Sequence, residues 1–211
     1  MQTSYALPAA GRTWTHRWEV KRSKFLTFAR RVMSEEAARD FIAEVRREYP
    51  DARHHCSAYL LHVDGANPVE RSSDDGEPSG TAGTPMLDML RGSGLIDVAV
   101  VVVRYFGGVK LGAGGLVHAY SQSVQQVLPL VDRVTRSRRE LYTVTAPHAE
   151  AGRLEAELRA RDLVVDVAYG AEVTMTLAVA PGGRTELAST LASLTAGVAE
   201  PAEAGTAWVE S

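Results

Sequence analysis

Cysteine is almost absent from this 211-residue chain, which has Cys56 alone. A single cysteine forms no disulfide within the chain, so the disulfide-stabilised domains typical of small secreted proteins are excluded and a reducing cytoplasm is expected. The sequence also lacks any run of about 18 apolar residues, which excludes a membrane-spanning helix and a membrane partner. No apolar segment precedes the first arginine, Arg12, so we expect no secretory signal.

The composition shows no signature of disorder, because 45% of the residues are hydrophobic and 23% are charged. A chain of this size buries one or two ordinary cores. The net charge of −3 is unevenly distributed: residues 1–33 carry +6, residues 34–137 carry −4 and residues 138–211 carry −5. The basic first segment is therefore the electrostatic candidate for a polyanion. Basic residues also protect sheet edges against aggregation, and the sequence leaves both interpretations open.

Two glycine-rich stretches, Ser73–Pro85 and Arg104–Ser121, each precede an apolar run that is typical of a helix. The first turn of a helix has unpaired N–H groups that bind anions. A phosphate site is therefore expected at the second stretch, with a structural tight turn as the competing interpretation. An exposed Tyr105 or Phe106 would stack on a base, although Phe106 is also a typical core residue. The expected anion or nucleic-acid residues are Arg104, Tyr105, Lys110, Gly112, Gly114 and Gly115, with Lys21, Arg22 and Lys24 from the basic segment.

The first glycine-rich stretch carries three carboxylates, Asp74, Asp75 and Glu77, which are candidates for magnesium ligation or for acid–base chemistry. Asp-Asp-Gly and Glu-Pro are also ordinary turn sequences, and this structural interpretation is favoured. Thr81 supplies a hydroxyl in the same cleft, but the sequence has neither a nucleophile elbow nor an evident base beside it. We therefore assign no catalytic residue.

The run Arg53-His54-His55-Cys56 invites a metal, but its side chains are adjacent rather than spaced like the ligands of a zinc site. Neighbouring residues that enter a strand point to opposite faces of the sheet. We therefore expect no metal here, and interpret Arg53, His54 and His55 as polar candidates in a cleft. The second glycine-rich stretch matches neither a Walker A loop nor a dinucleotide fingerprint, so no cofactor is expected.

Together with Pro50–Leu60, the two glycine-rich stretches resemble the YigZ/IMPACT family in sequence and in order, and the similarity extends over essentially the whole chain. The resemblance implies an amino-terminal βαβ domain similar to domain four of elongation factor G, and a carboxy-terminal ferredoxin-like domain similar to domain five. It also implies a role in regulating translation, since eukaryotic IMPACT proteins restrain activation of the kinase that phosphorylates initiation factor two. No reaction is implied.

The periodicity independently predicts an α+β protein with two domains, residues 1–137 and 138–211. A hairpin turning at Lys21–Lys24 leads to an amphipathic helix that Ser34 caps. Thr84 is expected to cap the next helix, with Pro85 in its first turn, and a further helix is expected from about Gly115. Beyond Glu140 the pattern reads β-α-β-β-α-β, which is the order of a ferredoxin-like domain.

Two functional hypotheses follow from these patterns. The first is a non-catalytic, translation-associated regulatory protein whose amino-terminal domain contacts RNA, DNA, the ribosome or a regulatory protein partner. The second is a metal-dependent enzyme that acts on a phosphorylated small molecule between the glycine loop and the carboxylates Asp74, Asp75 and Glu77. The first is preferred, because the sequence offers no recognisable nucleophile and no complete set of metal ligands.

Overall fold

The computed structural model describes residues 3–210 and divides the chain into two compact units, which meet in sequence between Thr135 and Arg136. The division falls inside one continuous strand, Arg133–Ala146, rather than in an exposed loop. Around the expected boundary the strand is paired, since Ser137 lies opposite Val209 and Glu140 lies opposite Thr206. Among the described residues, no helix combines the length and the apolar content that a bilayer crossing requires.

The first unit is a five-stranded antiparallel sheet with helices on both faces, in the strand order β2-β3-β6-β4-β5. Strands β3 and β4 flank β6 and run parallel to each other, so β3, α1 and β4 form the expected βαβ unit. The elements are β1 (Ser4–Pro8), β2 (Thr13–Val20), β3 (Ser23–Arg31), α1 (Glu35–Glu48), β4 (His54–Leu61), β5 (Val69–Ser73), α2 (Gly83–Ser93), β6 (Val98–Tyr105) and α3 (Ala113–Val127), followed by a 3₁₀ turn at Leu128–Leu130.

The centre of the sheet is β6, whose residues Val98–Val103 are 0% exposed. One face packs against α2 and α3 through a cluster that includes Phe25, Leu90 and Tyr120. The opposite face packs against α1 through a second cluster that includes Phe41. The prediction of a strand buried on both faces is therefore confirmed, because the central position of β6 gives each alternating side chain its own core.

The local signals for the hairpin and for α1 operate as predicted. Lys21 and Arg22 form the β2–β3 turn with φ values of 48° and 64°, the left-handed geometry that a tight two-residue hairpin requires. Ser34 caps α1, since its hydroxyl accepts a hydrogen bond from the N–H of Ala37 at 3.1 Å. The expected cap at Thr84 is wrong, because α2 already begins at Gly83 and its first N–H groups bond to a distant carboxylate.

The second unit has the ferredoxin-like fold that the periodicity predicts. Its four strands lie in the antiparallel order β10-β7-β9-β8, so the two βαβ halves interlock with β9 between β7 and β8. Two helices cover one face over a core that includes Leu154, Met175 and Leu187. The elements are β7 (Arg133–Ala146), α4 (His148–Arg159), β8 (Val164–Tyr169), β9 (Val173–Val179), α5 (Arg184–Thr195) and β10 (Ala202–Glu210).

Candidate functional site

The strand order of the first unit gathers four separate segments at one end of its sheet. Strands β3 and β4 begin at this end, whereas β5 and β6 finish there. The pairing register places Lys24 opposite Tyr105 and Arg104 opposite His54. The β2–β3 turn, the segment before β4, the β5–α2 loop and the β6–α3 loop therefore lie at the same end. These are the segments to which the sequence analysis assigned function.

A close backbone approach locks the β6–α3 loop onto the β2–β3 turn. A Cβ atom added to Gly107 would lie 2.0 Å from the carbonyl carbon of Arg22, and the Gly107 N–H donates to the Ser23 hydroxyl at 3.2 Å. A side chain at position 107 therefore has no room, and this is the physical reason for glycine here. The contact holds Arg22 next to the glycine loop, although 84 positions separate Ser23 from Gly107.

Asp74 organises the β5–α2 loop and the start of α2. Its carboxylate accepts hydrogen bonds from the N–H groups of Gly80, Ala82 and Gly83 at 2.8, 3.0 and 2.8 Å. Partial burial of the carboxylate works against ionisation, but the three N–H donors prevail and hold the pKa of Asp74 below its usual range. Asp74 is thus the N-terminal capping group of α2, supplied from eight or more residues away.

Asp75 ties the same loop to α1 and to the start of β4. It adopts a φ of 41°, its carboxylate accepts from Arg46 at 2.7 Å and from the His55 N–H at 2.6 Å, and His54 Nδ1 lies 2.9 Å from its carbonyl oxygen. His55 is buried, with Nε2 placed 2.9 Å from the carbonyl oxygen of Tyr49. The two histidines therefore bind the backbone on opposite sides of β4.

Glu77 and Arg104 form a buried ion pair beneath the loop. The Arg104 guanidinium donates to the Glu77 carboxylate at 2.6 Å, and the side chains are 6% and 4% exposed. Tyr120 also donates to Glu77, at 2.7 Å, and the Cys56 thiol lies 3.3 Å from the Tyr120 hydroxyl. Burial raises the pKa of both Cys56 and Tyr120, so both stay neutral. Arg104, which the sequence suggests as an anion contact, is therefore buried, and its guanidinium is paired with Glu77.

Sequence reasoning missed Ser23 and Tyr120 as members of this cluster. Ser23 is 0% exposed, and its hydroxyl accepts a hydrogen bond from the second terminal nitrogen of the Arg104 guanidinium at 3.4 Å. Tyr120 lies on the buried face of α3, where the apolar periodicity indicates core. The signal that predicts its role is the polar hydroxyl on a buried tyrosine, since such a group requires a partner. No local pattern names Glu77 as that partner.

The carboxylates of the loop are all engaged by protein donors. Within residues 3–210, no group of three or more His, Cys, Asp or Glu side chains is placed to hold a metal ion. Thr81 is buried and donates to the Pro78 carbonyl oxygen at 2.7 Å, whereas Arg53 is exposed. Asp74 closes the loop on its own backbone, as the turn interpretation expects, whereas Asp75 and Glu77 bind residues 20 and 27 positions away.

Four exposed basic side chains lie in the β2–β3 turn, at the start of β3 and in the β6–α3 loop: Lys21, Arg22, Lys24 and Lys110, which we call the basic end. The chain contains three lysines in all, and every one of them belongs to the basic end. Tyr105 is half-buried and donates to Asp51 at 2.8 Å, whereas Phe106 is 52% exposed. Of the two aromatic residues, Phe106 therefore has the ring that solvent reaches.

Helix α3 begins beside the basic end. It starts at Ala113, two residues before the expected position, with Gly112 at a φ of 74° as its N-cap. Gly114 and Gly115 occupy the first turn, in which backbone N–H groups have no partner within the helix. Gly112 and Gly114 are exposed, and among the described residues no atom lies within 4 Å of a Cβ added to either. The backbone of this turn is accordingly open to solvent.

The fold and the site define a two-domain α+β protein with a split βαβ sheet, a ferredoxin-like domain and a basic, glycine-rich end on the first domain. The Impact N-terminal domain model matches residues 21–128, and the model of a domain of unknown function, DUF1949, matches residues 144–198. The chain belongs to the IMPACT family, in agreement with the resemblance seen in the sequence.

The similarity to known proteins covers different shares of this chain. The IMPACT family member YigZ of Escherichia coli is 38% identical over 92% of this chain and 95% of its own length. A hypothetical protein of known crystal structure is 37% identical, with a TM-score of 0.64 over 96% of this chain and 98% of that one. The Protein IMPACT homolog of Saccharomyces cerevisiae is 34% identical over 50% of this chain and 42% of its own length.

Proposed function

We propose that this protein is a non-catalytic, translation-associated regulatory binding protein that acts in the cytoplasm and contacts RNA of the ribosome through the basic end. Membership of the IMPACT family supports the regulatory role. The single observation that carries the RNA contact is the gathering of Lys21, Arg22, Lys24 and Lys110 at one end of the first sheet. Several exposed cations on one surface bind the phosphates of a nucleic acid and release the counterions of those phosphates.

The placement of these cations favours ligand binding over protection of a sheet edge. Lys24 lies on β3, which has neighbours on both sides, and Lys110 lies in the β6–α3 loop. Neither position is on an edge strand, where lysine blocks the pairing of a further strand. The open first turn of α3 at Gly114 and Gly115 adds backbone N–H groups to the same surface.

The engaged carboxylates favour a binding protein over the metal-dependent enzyme. Asp74 accepts three backbone N–H groups, and Glu77 is enclosed with Arg104. A metal at either would have to displace these contacts and leave their donors unsatisfied, which costs free energy for each buried donor.

The test is anisotropy titration of labelled single-stranded RNA across a range of salt concentrations. The change of Lys24 and Lys110 to alanine should weaken binding to all sequences alike and lower the salt slope by about 1.4, at about 0.7 for each lost phosphate contact. The matched control changes Arg12 and Arg39 to alanine, which removes the same charge from exposed positions away from the basic end. Absence of binding at micromolar protein, or equal weakening by both double variants, would assign the basic end to a protein partner instead.

The lysine distribution offers a second test without mutagenesis. Acetylation of the three lysines removes their charge and leaves Arg22, so RNA binding should weaken strongly, whereas reductive methylation keeps the charge and should preserve binding. Retention of affinity after complete acetylation would contradict the assignment of the phosphate contacts.

A further inference from the structure

Phe106 is an aromatic side chain that the fold of the first unit does not bury. It follows directly after β6 and is 52% exposed, although its neighbour Arg104 is 5% exposed. The guanidinium carbon of Arg104 lies 5.8 Å from the centre of the Phe106 ring. Because Arg104 is held by Glu77 at 2.6 Å, the ring rests against an immobilised cation on its protein side.

The two residues after Phe106 add no side chain beside the ring. Gly107 and Gly108 carry no side chains, and among the described residues no atom lies within 4 Å of a Cβ added to Gly108. Gly107 is pinned to the β2–β3 turn by its contact with Arg22. The ring is therefore presented by a fixed backbone, with its outer side in solvent.

Residues of the basic end lie close to Phe106 along the backbone. The backbone of Arg22 contacts Gly107, the residue after Phe106, and Lys24 is paired in register with Tyr105, the residue before Phe106, on the face of the sheet opposite to Arg104. Lys110 lies four positions further along the same loop. A flat apolar face with exposed cations beside it is the combination that binds a single-stranded nucleic acid, in which a base stacks while the phosphates pair with the cations.

We propose that Phe106 is a stacking platform for an unpaired base, so that the basic end takes single-stranded rather than duplex nucleic acid. Bases within a duplex have both faces covered by their neighbours, whereas loops and single strands offer a free face. This inference rests on the proposed function, since it requires that the basic end bind nucleic acid. It adds a substrate class and a contact that carries no charge.

The decisive measurement compares single-stranded RNA with an abasic strand of equal length, which keeps the phosphates and lacks the bases. Phe106→Ala should weaken binding of the RNA by about 5-fold to 150-fold, the range for loss of one base–aromatic contact, and leave the abasic strand unchanged. Phe106→Leu keeps an apolar side chain without a flat ring and should behave like Phe106→Ala. Phe106→Trp should retain affinity, and its added fluorescence should be quenched by the RNA but not by the abasic strand.

The matched control is Met33→Ala, because Met33 is 45% exposed and follows the opposite end of β3. It lies beyond a strand of nine residues, roughly 26 Å from the basic end. Equal affinity of wild type and Phe106→Ala for the RNA, or preference of wild type for duplex over single strands, would overturn the inference. The proposed function would survive that outcome if the lysine variants still weakened both ligands. If the wild type bound neither the RNA nor the abasic strand, both this inference and the proposed function would be overturned.

Discussion

Removal of the Glu77 carboxylate should destabilise the first unit far more than removal of an exposed charge. Glu77→Ala leaves the Arg104 guanidinium enclosed at 5% exposure without its counter-ion and takes the acceptor from the Tyr120 hydroxyl. Breaking a buried ion pair by removing one partner costs about 3–5 kcal/mol, because the remaining charge is buried and uncompensated. For a unit of about 135 residues this corresponds to a fall in Tm of roughly 11–18 °C.

The assay is urea and thermal unfolding in a Trp208→Phe background, so that fluorescence from Trp14 and Trp18 reports the first unit. The control is Arg12→Ala, which breaks an exposed ion pair with Asp132 and should change the free energy of unfolding by about 0–1 kcal/mol. The double variant of Glu77 and Arg104 to alanine should be less destabilised than the sum of the two single variants, since it leaves no unpaired charge.

A loss below about 1 kcal/mol for Glu77→Ala would refute this reasoning, because that value is typical of solvated pairs. Additive effects in the double variant would refute it as well. Either result would mean that water reaches Arg104 and that its guanidinium remains available to a ligand.

The remaining predictions concern the two loops. Asp74→Asn should lower the free energy of unfolding at neutral pH by about 1–3 kcal/mol, through weakened bonds to three N–H groups. Because the folded pKa of Asp74 is lowered, its contribution to the free energy of unfolding is full above the unfolded pKa of about 3.9 and is lost as the pH falls through the folded pKa. The difference in free energy of unfolding between wild type and Asp74→Asn, measured by urea titration, should therefore disappear in acid. A difference that stays constant with pH would contradict the capping role. Gly107→Ala places its Cβ 2.0 Å from the backbone of Arg22, so it should lower the free energy of unfolding by about 1–3 kcal/mol and weaken RNA binding. Gly114→Ala, whose Cβ would meet no described neighbour within 4 Å, should be neutral in thermal unfolding. Equal effects of the two variants would contradict the contact between the β6–α3 loop and the β2–β3 turn.

Local signals were sufficient for most secondary structure in both units. The Ser34 cap, the apolar face of α1 and the β-branched run Val98–Val103 each act within one element, so their meaning does not depend on the rest of the chain. The same holds for the βαββαβ order of the second unit. The cap of α2 was misassigned because its acceptor, Asp74, lies nine positions before Gly83 and reaches it through the folded loop.

The sequence by itself determined the two α+β units, the family resemblance and the presence of a basic, glycine-rich segment. The tertiary structure decided which basic side chains of this segment are buried in ion pairs and which are exposed to solvent. Glu77 meets Arg104 across 27 positions and Tyr120 across 43, because the strand order brings their elements to one end of the sheet. The same strand order places Lys24 and Lys110 at one end of the sheet and leaves Phe106 exposed there. Charge and hydrophobicity are properties of residues, whereas partnership and exposure depend on which distant segments the folded backbone places side by side.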